Sequence, residues 1–509
     1  MKPFPWWTEE QRAFQQEVHE FAKEIAPRDA VTRWTREFPH DVYRKIGEKG
    51  YTGAAIPKEY GGLGLGATGS CILADELNAL MPGVGRIVIG NMNGGLRQII
   101  EYGTEEQKKR FLPEIASGEI GAVVITEMTA GTDAAGVSVS ARKEGDHYVL
   151  SGKKRFIVAA GTADRYFVYA RTSDDPADYK KRRHLSAFVV KKGTPGFTCE
   201  KINEILGFEN IQNGSLDFDH VVVPESDRIG AEGEGWKIMM AGLNFERTNI
   251  AAGTVGWQRL LLNYCVPYAQ RRVQFGKATA DIPANQDKIA DMVMRLNMLR
   301  NSVYYTAYQW DRGEDITIEA SSIKAMGVQM TLKSAEDATQ VMGGDGVNRF
   351  YPVQNVFEVS KTEHVAGGTV EACRMTVFRS ALKLMKEDLQ MVRRVIDDET
   401  GVPVPAYGVN EDRLPVSDSN VLAVLAEDYR ANPGLHMTVE DIMQYVEGSA
   451  EEISGAVERL AEQGKVMILR DRKTGGVRLA KATYEGLDEA YPKDHYRWFP
   501  NWVTEERKF

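Results

Sequence analysis

Leu243-Asn244-Phe245-Glu246-Arg247 is the stretch around which this sequence is organised. It lies inside a run that reads as buried helix, with Trp236, Ile238, Met239, Met240 and Leu243 before it and Ile250, Ala251, Ala252 and Val255 after it. A carboxylate in apolar surroundings is costly as an anion, so its pKa rises and it becomes a usable base. Arg247 is the adjacent residue, and neighbours at i,i+1 on a helix do not face each other, so it need not neutralise Glu246. An isolated Glu-Arg would more simply be an ion pair or a solvated helix edge. The rest of the chain argues against that simpler reading.

Outward from this helix the periodicity changes twice. Residues 8–27 read as an amphipathic helix capped by Thr8, with Phe14, Val18, Phe21 and Ile25 at helical spacing. Helical patterns continue to about residue 118, broken by the turn Pro57–Gly62. From about 121 to 234 the runs are short and β-rich, as in 166–170, 187–190 and 215–218, separated by turns such as 193–196. Long helical patterns return from 235 to 398. The expectation is a multidomain α+β chain. It has an N-terminal helical domain (1–120), a middle antiparallel β domain (121–234) and a C-terminal four-helix bundle (235–398). A Pro/Gly-containing linker (399–416) leads to a small winged-helix-like α/β module (417–487) and a tail (488–509). In that module, helices are expected at 421–429, 438–446 and 449–463, the last with Ser449 and Glu452 as a capping box, followed by a hairpin around Lys473–Gly476.

The chain has 509 residues, 43% hydrophobic and 27% charged, an ordinary globular composition with room for several cores. A net charge of −9 argues against nucleic-acid binding and attraction to anionic membranes. No apolar run has the length of a membrane span, and the N-terminus lacks a signal-peptide pattern. Four scattered cysteines without metal-ligand spacing fit a reducing cytosol, so no metal is expected and the localisation expected is cytoplasmic.

Thr126-Glu127-Met128-Thr129-Ala130-Gly131-Thr132-Asp133 follows the apolar run Ala122–Ile125. A turn of small and hydroxylic residues after a strand lets backbone amides approach a polar ligand. By itself the signal is weak. It gains weight from its company: Tyr102–Lys108, Leu112-Pro113, Gly152–Ile157, Glu246-Arg247, Arg272-Val273-Gln274-Phe275-Gly276, Gln340–Gly346 and Gly367-Gly368-Thr369. This ordered series, over residues 1 to about 390, closely resembles the acyl-CoA dehydrogenase family.

The resemblance implies an FAD enzyme, usually a homotetramer, that converts an acyl-CoA to a 2-enoyl-CoA and passes electrons to electron-transferring flavoprotein. It implies that Ile125 and Thr126 meet the flavin edge, that Thr132 lies near the cofactor phosphate and the thioester, and that Phe156 shields one flavin face. Gly131, Ile157, Val158 and Glu371 join the cofactor set. Arg272 and Phe275 would reach the FAD of a neighbouring subunit, with Gln340, Gly343, Gly344 and Thr369 completing that adenosine site. Asn244, Arg247 and Gly368, with Thr132, make up the implied substrate set.

The sequence departs from the family pattern at several places. Met128 replaces a usual Pro, Val158 a Thr whose hydroxyl commonly bonds flavin N5, and Pro283 a Gln, although Gln286 keeps a second family Gln. The largest departure is Gly367, where most members carry the catalytic Glu. A minority branch, including isovaleryl-CoA dehydrogenase, places the Glu immediately before the family Arg, which here is Glu246. The pair Glu246 and Gly367 therefore resembles that exchanged arrangement, with Glu246 as base and the Gly367 amide, with a flavin ribityl hydroxyl, as the oxyanion donors. Ala366 and Gly367 are small, which points to a branched, cyclic or aromatic acyl group.

Two other classes are alternatives. An acyl-CoA oxidase or flavin monooxygenase on the same fold would often lack the base. A DNA-binding regulator would use the C-terminal module, but residues 411–509 hold 13 Lys and Arg against 19 Asp and Glu. Its third helix opens Ser449-Ala450-Glu451-Glu452, unsuited to phosphates. A protein-interaction role is the better expectation for it.

Overall fold

The computed structural model describes residues 2–384, 393–397, 402–406 and 412–491. The chain forms two compact units, residues 1–384 and 385–509. Among the described residues no helix is long and apolar enough to cross a membrane.

The first unit opens with six helices: α1 (Glu9–Thr35), α2 (His40–Glu48), α3 (Gly66–Asn78), α4 (Pro82–Met92), α5 (Leu96–Tyr102) and α6 (Glu105–Ala116). Thr8 caps α1 through a capping box with Gln11, and Phe14, Val18, Phe21 and Ile25 are buried as their spacing predicts. The helix does not stop at residue 27. Pro27 removes one intrahelical donor, but Asp29 beyond it accepts from the Gly83 and Val84 amides (3.1 and 2.8 Å), which anchors the last turns on α4.

Then come β1 (Gly121–Val124), β2 (Ser140–Glu144), β3 (His147–Ile157), β4 (Arg165–Arg171), a short α7 (Pro176–Lys180), β5 (Leu185–Lys191), β6 (Phe197–Ile202), β7 (Gly214–Pro224) and β8 (Arg228–Ile229). They build one sheet in the order β6-β7-β3-β2-β4-β5-β8, with β1 on β4. The antiparallel expectation holds for β2–β3, β3–β7, β4–β5, β5–β8 and β6–β7, and two parallel contacts are added to it. β1 pairs β4 in parallel from Gly121↔Arg165 to Val124↔Val168, and β2 meets β4 in parallel at Ser140↔Arg171. Alternation of apolar residues records which face is buried, not the direction of the partner strand.

The remaining elements of this unit are α8 (Gly235–Arg271), a small ribbon of β9 (Val273–Gln274) and β10 (Lys277–Ala278), α9 (Pro283–Asp311), α10 (Thr317–Met342), α11 (Pro352–Glu363) and α12 (Val370–Leu384). α10 is central and packs on α8, α9, α11 and α12, while α8 also covers α3. Ile250, Ala251, Ala252 and Val255, read from sequence as buried, are all at most 2% exposed. At the α3–α8 contact Arg259 is buried against Asp75 and Glu76 (2.5 and 2.8 Å), so the two helices are locked by charge as well as by apolar packing.

The second unit contains β11 (Arg393–Ile396), β12 (Pro403–Ala406), β13 (Leu414–Pro415), α13 (Asp418–Ala431), α14 (Val439–Ile442), β14 (Val446–Glu447), α15 (Ala450–Glu462), β15 (Val466–Arg470), β16 (Val477–Ala482) and α16 (Tyr484–Ala490). The segment 399–416 is not a bare linker: β12 pairs β11, and β13 pairs β14. Thr438 caps α14 as expected, yet the helix has only four residues, because Gln444 and Tyr445 bond three residues back and turn the chain into β14. The Ser449–Glu452 capping box and the 466–482 hairpin follow the sequence reading. The expected tail, 488–509, begins inside α16, and residues 492–509 lie outside the described residues.

Candidate active site

Two segments far apart in sequence form one ledge. Glu127 is buried and paired with Lys154 of β3 at 2.9 Å. It also accepts from the Ser138 and Val139 amides (2.7 and 3.0 Å). Lys154 Nζ donates to the Ile125 carbonyl at 2.8 Å, and the Arg155 amide to the Thr126 carbonyl at 2.9 Å. The 126–133 turn is thus fastened to the end of β3. There Phe156 adopts φ +56° and leaves its ring 48% exposed, with the Arg155 guanidinium 4.2 Å from the ring centre. A non-glycine residue held at positive φ is strained, and such residues cluster at ligand clamps.

The second half comes from α8, α10 and the loop after α11. Glu246 is partly accessible, and no hydrogen bond or ion pair reaches it among the described residues. Burial raises its pKa; Arg86 opposes that rise and Glu363 reinforces it. Arg247, its neighbour, turns away as the helix geometry requires. Arg247 Nε donates to the Gly367 carbonyl at 3.2 Å and Nη1 to Ser321 at 3.1 Å. Lys324 Nζ donates to the Gly368 carbonyl at 2.6 Å. Gly367 and Gly368 take φ +63° and +88°, a left-handed pair that side-chain-bearing residues adopt only with strain. Both loop carbonyls are therefore held by cations, and no acceptor among the described residues takes the Gly367 amide. A methyl group built on Gly367 would lie 3.7 Å from Glu246 Oε1.

A third group lies apart from these. Arg272 and Phe275 follow α8, and Phe275 is 93% exposed. Gln340 lies in the last turn of α10 and Gly343 and Gly344 follow it, with open space around both glycines. Tyr268 of α8 donates to Asp345 at 2.8 Å, which joins the two chain segments beside a cavity of about 430 Å³ that includes Arg271, Arg272 and Met342. Asn244, from the implied substrate set, donates to Thr317 at 3.1 Å. Thr132 is exposed, and Ile157 is buried at the end of β3. Thr369 accepts from the Ala372 amide at 3.1 Å and caps α12, whose first turn carries Glu371.

The sequence reading missed Arg86 and Glu363. They form a buried ion pair between α4 and the end of α11, 277 residues apart. One signal was available: Arg86 is a lone charge inside the run Val84-Gly85-Arg86-Ile87-Val88-Ile89.

Residues 8–119 match the acyl-CoA dehydrogenase N-terminal domain, 122–221 its middle domain and 233–382 its C-terminal domain. An acyl-CoA dehydrogenase of Bacillus subtilis (strain 168) is 36% identical over 377 residues, 74% of this chain and 98% of that protein. The chain belongs to the acyl-CoA dehydrogenase family. The mitochondrial isovaleryl-CoA dehydrogenase of Oryza sativa subsp. japonica is 32% identical, over 73% of this chain and 91% of that protein. The solved butyryl-CoA dehydrogenase from Megasphaera elsdenii superposes with a TM-score of 0.71 at 31% identity, over 75% of this chain and all of that one. This acyl-CoA dehydrogenase is an FAD-dependent oxidoreductase acting on an acyl-CoA. Its residues fit the cofactor. The ledge offers a half-exposed aromatic face beside a pinned turn, and the glycine turn after α10 leaves room for a close approach.

Proposed function

We propose that Glu246 is the base of this dehydrogenase and that the Gly367 amide is the oxyanion donor contributed by the chain. The observation that carries this reading is the Glu246 carboxylate, with no hydrogen bond or ion pair among the described residues, 3.7 Å from where a Cβ on Gly367 would lie. The α-proton of an acyl thioester is weakly acidic, so its removal needs a base at the α-carbon and a donor where enolate charge develops. Glu246 takes that proton, and its raised pKa makes it a better acceptor than a solvated carboxylate. The cations that hold the Gly367 and Gly368 carbonyls fix the loop that carries the Gly367 amide. Bound FAD supplies the acceptor for the hydride equivalent leaving the β-carbon. Ile125, Thr126, Gly131, Thr132, Phe156, Ile157 and Val158 would hold its ring end. Arg272, Phe275, Gln340, Gly343, Gly344, Thr369 and Glu371 would hold the nucleotide end, with Asn244, Arg247, Gly368 and Thr132 toward the acyl-CoA.

The exposure of Phe275 supports a site completed by a second copy, as in a homotetramer. Small residues at Ala366 and Gly367 support a branched, cyclic or aromatic acyl group. Electron-transferring flavoprotein is the proposed acceptor, and four free thiols support a reducing compartment such as the cytosol. We divide the first unit at residues 120 and 234, where the periodicity changes. The helices and hairpin of residues 417–487 support a winged-helix-like interaction module. The test is anaerobic mixing of the yellow protein with a panel of acyl-CoA esters. Flavin bleaching with formation of 2-enoyl-CoA is expected, and a panel that leaves the flavin oxidised would defeat the reading.

A further inference from the structure

Glu246 is surrounded by charge, yet among the described residues nothing bonds to its carboxylate. Four charged groups and one phenol act on it. These are Arg86 on α4, Glu363 on α11, Arg247 on α8, Lys324 on α10 and Tyr169 on β4. Arg247 and Lys324 spend their hydrogen bonds on the Gly367 and Gly368 carbonyls. Tyr169 accepts from Gln98 at 3.4 Å. Arg86 and Glu363 are bonded to each other, 3% and 0% exposed.

Their pairing is incomplete. Arg86 Nη1 and Glu363 Oε2 are buried and have no hydrogen-bond partner among the described residues. A buried charge pair is costly and by itself adds little stability, so this one calls for another reason. Its place supplies one. A methyl built on Gly90 would lie 3.2 Å from Arg86 Nη1 and 3.1 Å from Val158 Cγ1, so Arg86 reaches the end of the β3 ledge. Glu363 ends α11, four residues before Gly367. The pair thus spans the ledge and the loop between which Glu246 works. Both orphan atoms are buried, so the pair does not itself touch substrate.

We propose that the Arg86–Glu363 pair is a positioning device for the base: it holds a counter-charge near Glu246 without bonding to it, so the carboxylate can ionise while keeping its lone pairs free for the α-proton. A direct Arg partner would do the opposite, occupying those lone pairs and lowering basicity. Glu363 serves to hold Arg86 in place and to moderate its field. This inference rests on Glu246 being the base.

The readout is the pH profile of flavin bleaching by butyryl-CoA and isovaleryl-CoA in the full-length FAD-loaded protein. Arg86→Met removes the favourable charge, so the acidic limb should move to higher pH. Each unit of displacement lowers the rate about tenfold at a fixed acidic pH, while rates converge at alkaline pH. Arg86→Lys should return the limb toward its wild-type position. Glu363→Gln, which leaves Arg86 unmoderated, should move it to lower pH. Opposite displacements are the signature, and a merely structural pair would lower the rate equally at every pH. Should Arg86→Met fail to fold, Glu363→Gln still decides: an unmoved limb, or one moved to higher pH, overturns the proposal. Where both fold, unmoved limbs in Arg86→Met and Glu363→Gln, or displacement of both in one direction, overturn it. Glu246→Gln measured alongside keeps the two readings apart. An inactive Glu246→Gln with unmoved limbs defeats only the positioning role, whereas an active Glu246→Gln defeats the base itself.

Discussion

Gly367 and the carboxylate of Glu246 are neighbours across the site: a Cβ at Gly367 would be 3.7 Å from both Cγ and Oε1 of Glu246. On the proposed assignment of Glu246 as base, two segments 121 positions apart could deliver a carboxylate to the same α-carbon. The structure also says why moving it is expensive. Gly367 sits at φ +63°, and its Cβ would come within 2.7 Å of Ile250 Cδ1. The double variant Glu246→Gly with Gly367→Glu should regain a small part of the activity lost in Glu246→Gly. Adding Ile250→Val should raise it further, by relieving the contact but not the backbone strain. Stopped-flow bleaching of the three variants checks this, and a relocated Glu with no gain over Glu246→Gly would refute the shared position.

Glu246→Gln should bind FAD normally and lose about 10²–10⁴-fold or more in bleaching rate. It should also be the more stable protein at neutral pH. Burial raises the Glu246 pKa above its unfolded value. Its contribution to stability is therefore complete below the unfolded pKa and is lost as pH rises through the folded one. Gln avoids that loss. Thermal unfolding should show a higher Tm for Glu246→Gln near about pH 8, with the difference closing below about pH 4.

Lys154 joins the 126–133 turn to β3 through Glu127 and the Ile125 carbonyl. Lys154→Met leaves a buried carboxylate without its cation, a loss of about 3–5 kcal/mol. The ledge should loosen, so FAD content after gel filtration should fall together with the Tm. Retention of full FAD by a destabilised Lys154→Met would separate the ledge from the cofactor.

Arg272 is exposed and takes no part in the core. Arg272→Ala should lower FAD occupancy, by removing a charge-assisted contact to the pyrophosphate, and leave the melting of the apoprotein unchanged. Absorbance ratios of the purified variant report the occupancy.

Removing residues 385–509 should leave flavin binding and bleaching in place. The family match ends at residue 382 and the first compact unit at Leu384. A truncated protein that is colourless although folded would show that the second unit contributes to the cofactor site. Specific DNA binding by the full-length protein at physiological salt would overturn the reading of its acidic third helix.

The local rules of the chain were legible in its sequence. The caps at Thr8, Thr438 and Ser449, the buried stripe of α1, the strand runs and the hairpin at 466–482 each depend on residues within a few positions of one another. The segments 126–133, 152–157, 246–247 and 367–369 stood out in sequence as well, and the fold joins the first two to each other and the last two to each other.

What the sequence determined by itself was therefore which segments are helix or strand, which faces are apolar and which residue types are available for chemistry. What only the tertiary structure decided was direction and partnership. It made β1 parallel to β4, carried α1 past Pro27 because Asp29 found the amides of α4, drew the expected linker into strand pairs, and set Arg86 against Glu363 across 277 residues. Periodicity reports whether a position faces solvent or interior, and it carries no record of which distant group will meet it there. Burial, electrostatic balance and hydrogen-bond satisfaction are properties of the assembled neighbourhood, and the ionisation of Glu246 is set by that neighbourhood.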